Sequence, residues 1–361
     1  MAVTRRRWIA LGAGILAAPV IDNNHLLLGS TQPAYSFRTL ELIRTSVVVD
    51  MLGLLTLDYK KLCAWQQDPA TFPASEFTRL RNSGVTVIHP AVGFMHSDAY
   101  DSSSADFARW NYFLAAHPDK FVKVTRPADV ARAKQTGKIG VVLGLQNSQH
   151  FRTLADVDRF YALGQRVSQL TYINNRLGGG SADQGFGLTT YGADVIQRMN
   201  QLGMAVDLSH CGDRTTLDAI DASSKPSLVT HSNCRALVPG SLRCKSDEAI
   251  RRLAAKGGVF GVTMVRQFVR AAGPTTLENM LDHIDHIVRL TGVEHAGLGT
   301  DVDLDGRDTA QPFRFDLDGE QYSQKIFDVT EGLLRRGYSS TDVALILGGN
   351  FQRILAQIWA A

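Results

Sequence analysis

Two histidines stand at the ends of apolar runs, His210 in Asp207-Leu208-Ser209-His210 and His231 in Thr230-His231-Ser232-Asn233. Were the two runs adjacent parallel strands, about 4.8 Å apart, imidazoles at matching depth would share one metal ion. A single histidine in such a place is more often structural, but two on consecutive strands favour a ligand pair. Asp301 closes Gly297-Leu298-Gly299-Thr300-Asp301 and adds a carboxylate. Beside a metal-bound water it would orient that water, take its proton or ligate directly. The plainer alternative is a cap on the following loop, a task open also to Asp303 and Asp305. Arg235, four residues beyond His231, is spaced to grip a substrate carboxylate in a bidentate pair, or to form a structural ion pair. Other apolar runs end on Asp50, Gln146 and Tyr172, and His150 lies shortly after Gln146. Cys211 and Cys234 flank the histidines, where thiols act as soft ligands or are simply buried.

Side chains spread over some 250 positions converge only if the chain between them is regular. Eight short runs rich in Val, Ile and Leu recur at 46–50, 85–92, 139–145, 167–172, 205–209, 227–230, 259–263 and 296–300. Runs of this kind fit strands covered on both faces, and helical patterns between them imply parallel crossovers. The clearest helices fall at 156–163, 191–202, 214–222, 247–256 and 276–290. An α/β chain with eight such units predicts a (β/α)8 barrel, whose working residues sit at the strands' C-terminal ends. A doubly wound open sheet is the other candidate, but no G-x-G-x-x-G follows any strand. The longest break, 176–190, is glycine-rich and polar, and reads equally as a mobile loop over the mouth or a plain surface connection.

Composition narrows the function. The 361 residues are 44% hydrophobic and 20% charged, with 38 basic against 35 acidic side chains and a net charge of +3. That balance, with no basic run beyond the N-terminus, argues against nucleic acid as a partner. Thr4-Arg5-Arg6-Arg7-Trp8-Ile9 leads into an uncharged apolar stretch up to Ile21, the layout of an export signal. The paired arginines resemble a twin-arginine signal, which implies transient contact with export machinery and a periplasmic or otherwise exported protein, tethered to the membrane if the signal is retained. The expected division is a signal over 1–22, a linker and N-terminal segment over 23–45, and one barrel domain over 46–361. Four cysteines leave room for one bridge at most.

The strand ends resemble a known family. The stretch from Leu202 through Asp207-Leu208-Ser209-His210, the segment Thr230-His231-Ser232-Asn233-Cys234-Arg235-Ala236-Leu237, and Gly297-Leu298-Gly299-Thr300-Asp301-Val302-Asp303 are similar to the membrane (renal) dipeptidases, a family of zinc metallopeptidases. Gly187-Leu188-Thr189-Thr190-Tyr191-Gly192, Ser246-Asp247-Glu248 and Leu347-Gly348-Gly349-Asn350-Phe351 follow in the same order. The resemblance implies a (β/α)8 barrel with two zinc ions, a dipeptide substrate, and relatives that commonly form homodimers. By it His210 and His231 ligate one metal, Asp301 acts on the catalytic water and Arg235 holds the substrate carboxylate.

Three departures from that pattern stand out. The family's Asp-x-His-x-Asp at the end of strand one corresponds to Asp50, Leu52 and Leu54, and leucine cannot ligate. The bridging glutamate corresponds to Gln146, a neutral and weaker ligand. The substrate-facing histidine after strand four corresponds to Tyr172. The expectation is therefore an exported metallohydrolase of dipeptides or related small amides, with one zinc at most held by His210, His231 and Gln146. Asp301 would serve as base, and Tyr172 as proton donor or oxyanion partner. The alternative is a family member that is no peptidase, binding a small ligand or modifying a peptide-derived metabolite.

Overall fold

The computed structural model describes residues 35–94, 97–307 and 315–359. The export signal read over 1–22 lies outside them. Among the described residues ten strands run in chain order: β1 (Val49–Asp50), β2 (Val87–Ile88), β3 (Phe121–Val124), β4 (Ile139–Val142), β5 (Gly144–Leu145), β6 (Val167–Gln169), β7 (Ala205–Asp207), β8 (Leu228–Ser232), β9 (Val259–Val262) and β10 (Ala296–Leu298). They pair in the order β3-β4-β2-β1-β10-β9-β8-β7-β6-β5, and every strand pair is parallel. Only Leu143 separates β4 from β5, so the run from β4 round to β5 begins and ends in one stretch of chain, and a bridge from Val92 to Leu145 ties the seam. The architecture is the (β/α)8 barrel that the alternating pattern predicts, with β3 added outside the ring.

One end of the barrel is stoppered by the last helix. The first residues of several strands, among them Val49, Val87, Val167, Ala205, Leu228 and Val259, cluster with Phe351, Ile354, Leu355 and Ile358 of α14 (Asn350–Trp359). Removing these apolar side chains from water, at about 25 cal/mol per Å2, is what seats the helix. Asn350 locks its start by donating to the carbonyls of Val293 (2.7 Å) and Ala296 (2.8 Å). With the N-terminal ends of the strands closed, the other end is left for chemistry.

Two segments left general by the sequence take definite form. The end of the linker and N-terminal segment forms helix α1 (Phe37–Thr45). Its N-cap Ser36 and Thr39 both hydrogen-bond Glu331, which fastens the helix to the body of the domain. The glycine-rich loop is stitched down along its first half. Thr171 Oγ1 donates to Gly179 O, Gly179 N donates to Thr215 Oγ1, and Gly180 bridges Cys211. A Cβ at Gly180 would come within 2.7 Å of Ile173 Cα, so the close approach requires glycine.

Candidate active site

Each residue singled out by its position at the end of an apolar run lies at, or just past, the C-terminal end of a strand. Gln146 comes directly after β5, Tyr172 three residues after β6, His210 three after β7, Asp301 three after β10, and His231 lies within β8. His210 Nε2 and His231 Nε2 stand 3.1 Å apart. Two nitrogen ligands of one tetrahedral zinc, each at about 2.05 Å, would stand about 3.3 Å apart. The ring of Tyr172 stacks on His210, with centroids 3.9 Å apart and planes 21° from parallel.

The tautomer of His231 is set from beneath. Asp207 Oδ1 accepts from Ser209 N (3.1 Å), Ser209 Oγ (2.6 Å) and Thr230 N (2.9 Å), and Oδ2 accepts from Thr230 Oγ1 (2.8 Å). Having donated its proton to Asp207, Thr230 Oγ1 is an acceptor for His231 Nδ1–H at 2.8 Å. Nε2 of His231 is thereby left with its lone pair towards His210, the form a metal or a proton donor requires. Burial, and next the charge of Arg243, hold both imidazoles well below their ordinary pKa and hence neutral. Asp207 is the residue sequence reasoning missed, although a carboxylate inside an apolar run, three residues before a histidine, was a signal in plain view.

Arg235 does not lie open to a ligand. Its Nη1 and Nη2 both bond the carboxylate of Asp213, at 2.5 and 2.9 Å, and its Nε and Nη2 bond the carbonyl of Cys244. The guanidinium beside the histidines is that of Arg243, which donates to His231 O (2.7 Å), Ser209 O (2.7 Å) and Ser232 Oγ (3.0 Å). It braces the backbone on which both imidazoles hang. Nothing in the local sequence marked Arg243 over Arg235.

Asp301 has a left-handed backbone, φ 60°, the one non-glycine residue to do so among those described. Such strain persists where the surroundings over-determine it. Here its N–H donates to Leu52 O (2.8 Å), and Arg307 bonds its carbonyl (2.6 Å) and its Oδ1 (2.7 Å). Burial raises the Asp301 carboxyl above its ordinary pKa, with Arg307 opposing. Burial, then the charge of Asp301, also raises the Tyr172 phenol, which stays protonated at neutral pH. Both residues line a mouth pocket of about 240 Å3, shared with Gln146, Arg307, Leu54 and Trp110.

As donors for a metal, the two imidazoles fit one another. Leu52, fully buried, and Leu54, on the pocket wall, offer no ligand atom. Gln146 turns its carboxamide N–H to Ala91 O (2.9 Å), which leaves Oε1 as its donor. Among the described residues no three His, Cys, Asp or Glu side chains cluster as a metal site. Asp50 is tied to the residues just past the neighbouring strand β10: it accepts from Thr300 N (2.8 Å) and Oγ1 (2.5 Å) and pairs with Lys325 Nζ (3.2 Å). All four cysteines are free, and burial pushes the thiols of Cys211 and Cys234 up, away from the thiolate a metal binds.

His150 belongs to the core. It packs on Phe151 and Phe160 and bonds Asn147 O and Gln165 Oε1, both at 3.1 Å. Burial lowers its pKa to about 4, and lowers that of His283 also to about 4. Below pH 6.5 the unfolded chain therefore binds protons that the folded chain refuses. Stability is full above about pH 6.5 and falls between there and about pH 4, by roughly 3 kcal/mol for each such histidine. Urea unfolding at pH 7 and pH 4.5 measures this, and His150→Phe should remove about half of the part that the two histidines contribute; an unchanged difference would reject the assignment.

The membrane dipeptidase family, peptidase family M19, matches residues 38–361. The chain belongs to that family. Dipeptidase tcpJ of Claviceps purpurea is 30% identical over 68% of the chain, and dipeptidase 3 of Rattus norvegicus is 29% identical over 62%. The matched regions span 57% and 46% of those proteins, so the chain covers about half their length. Among solved structures, an amidohydrolase from Pseudomonas aeruginosa superposes with a TM-score of 0.78 at 25% identity, covering 90% of this chain and 99% of that one. A metallopeptidase from Rhodobacter sphaeroides, liganded with a phosphinate mimic of L-Ala-D-Ala, gives 0.69 at 19% identity, over 87% of this chain and 100% of that one. Those matches confirm the fold expected of a membrane dipeptidase.

Proposed function

We propose that this membrane dipeptidase family member is an exported hydrolase of a small amide or dipeptide, working with at most one metal ion, at His210 and His231. The observation that carries the reading is the facing pair of neutral Nε2 atoms 3.1 Å apart, with the His231 tautomer fixed by Thr230 and Asp207. A zinc ion there would lower the pKa of a bound water and polarise the scissile carbonyl. The protein's part is to hold both imidazoles still through Arg243 and Asp207, to present Asp301 as proton acceptor, and to supply the Tyr172 hydroxyl as donor to the leaving group. Gln146 Oε1 would serve as a neutral third donor, weaker than the family's carboxylate. Export rests on the arginine-led apolar stretch near the N-terminus, and fractionation of cells expressing the full chain tests it.

A second reading has its own support. Arg307 occupies one oxygen of Asp301, and two leucines stand where ligands of a second metal would be. A chain so altered would bind a peptide-derived metabolite, or act on it by acid–base chemistry, without hydrolysing peptides. Metal content after folding in zinc, measured with dipeptide hydrolysis, separates the two. The first reading expects about one zinc per chain and a large drop in both His210→Ala and His231→Ala; two zincs, or unchanged content in both variants, would overturn it.

A further inference from the structure

The charges around the mouth pocket decide what end of a substrate it can take. Among its described lining residues one is acidic, Asp301, and that carboxylate is paired with Arg307. The loop after β1 contributes Leu54 to the wall, and the position directly after β5 contributes the neutral Gln146. A second guanidinium, Arg243, lies by the histidines, and the charges of both arginines reach Tyr172, His210 and His231. A free amino terminus entering here would meet the Arg307 guanidinium, with Arg243 behind the histidines, find a single carboxylate already bonded to Arg307 through one oxygen, and lose water against Leu54, Leu57, Leu62 and Trp110. A buried ammonium without a partner is strongly disfavoured. An acyl group has the opposite preferences, since it carries no charge and gains from contact with leucine and tryptophan.

We propose that the pocket selects N-acyl amino acids over free dipeptides. The short aliphatic acyl group lies against the leucines and Trp110, the amide faces the histidine pair, and the carboxylate sits in the field of Arg243 and Arg307. A cavity of about 240 Å3, below the roughly 300–1,000 Å3 of drug-sized sites, suits an acyl chain of a few carbons. Hydrolysis adds one water across the amide C–N bond and releases a short fatty acid and the amino acid. The substrate class rests on the amide-hydrolase reading above, whereas the selectivity is a property of binding.

Isothermal titration of the full chain with N-acetyl-alanine, N-butanoyl-alanine and alanyl-alanine tests it. At roughly fourfold per buried methylene, N-butanoyl-alanine should bind about fifteenfold tighter than N-acetyl-alanine. Alanyl-alanine should bind weaker than the butanoyl compound by about tenfold or more. Leu54→Asp adds an anion and Arg307→Gln frees one, so each should shift the preference towards alanyl-alanine. Either variant suffices should the other fail to fold. Equal affinity for alanyl-alanine and N-butanoyl-alanine in the native chain, or an unshifted preference in every folded variant, would overturn the inference. Acyl-selective binding without turnover would support it and remove the hydrolase reading instead; brisk hydrolysis of alanyl-alanine with no acyl preference would do the reverse.

Discussion

Asp207→Ala is expected to destabilise the protein by about 3–5 kcal/mol and to abolish any metal binding at the histidine pair. The carboxylate is 1% exposed and accepts four hydrogen bonds, from the N–H and hydroxyl of both Ser209 and Thr230. Alanine leaves those four donors facing a void, and each buried donor left unmade costs about 1–3 kcal/mol. The substitution also frees the Thr230 hydroxyl to donate elsewhere, so that His231 is no longer held with its proton on Nδ1. Asp207→Asn separates the two effects, because it keeps the shape while placing an N–H2 where an acceptor stood. It should retain more stability than alanine yet lose metal affinity to a similar degree. Urea unfolding and metal analysis measure both, and a native-like midpoint for Asp207→Ala would remove the carboxylate from the account of the site.

The second large effect is expected where the barrel closes. Lys325 reaches from helix α12 (Lys325–Arg335) to Asp50 at 3.2 Å, and also bonds Thr300 Oγ1 (2.7 Å) and Val302 O (3.0 Å). Both charged side chains are nearly inaccessible, at 5% and 1%. Lys325→Met strands a carboxylate in the interior and should cost about 3–5 kcal/mol. Asp50→Asn removes that charge while keeping an acceptor for Thr300, so the double variant should recover at least about 1 kcal/mol over the sum of the single ones. Additive losses in a double-mutant cycle would show that the pair is not coupled.

The same two aspartates show how far the sequence could be read. Asp50, Gln146, Tyr172, His210, His231 and Asp301 were legible because a strand end can be recognised from its apolar run, and a parallel barrel brings strand ends to one face. What was not legible was long-range. Lys325 lies far from Asp50 in the chain, on a helix whose pattern announces only its buried face. Arg243 and Arg235 are both arginines in the segment after His231, and only packing shows that Asp213 takes Arg235 while Arg243 turns to the histidines. Strand β3 was missed because Phe121-Val122-Lys123-Val124 is short and carries a lysine, whose amine is satisfied by Asn111 Oδ1 and Leu163 O.

The stopper at the barrel's floor has a meaning for how much change the mouth can absorb. Helix α14 and the first residues of the strands hold the ring together at one end, while histidines, leucines and arginines face one another at the other. A substitution at the rim is therefore expected to leave the packing of the floor untouched. Vessel and mouth can be varied independently, so that altering what the mouth binds does not require rebuilding the barrel that holds it.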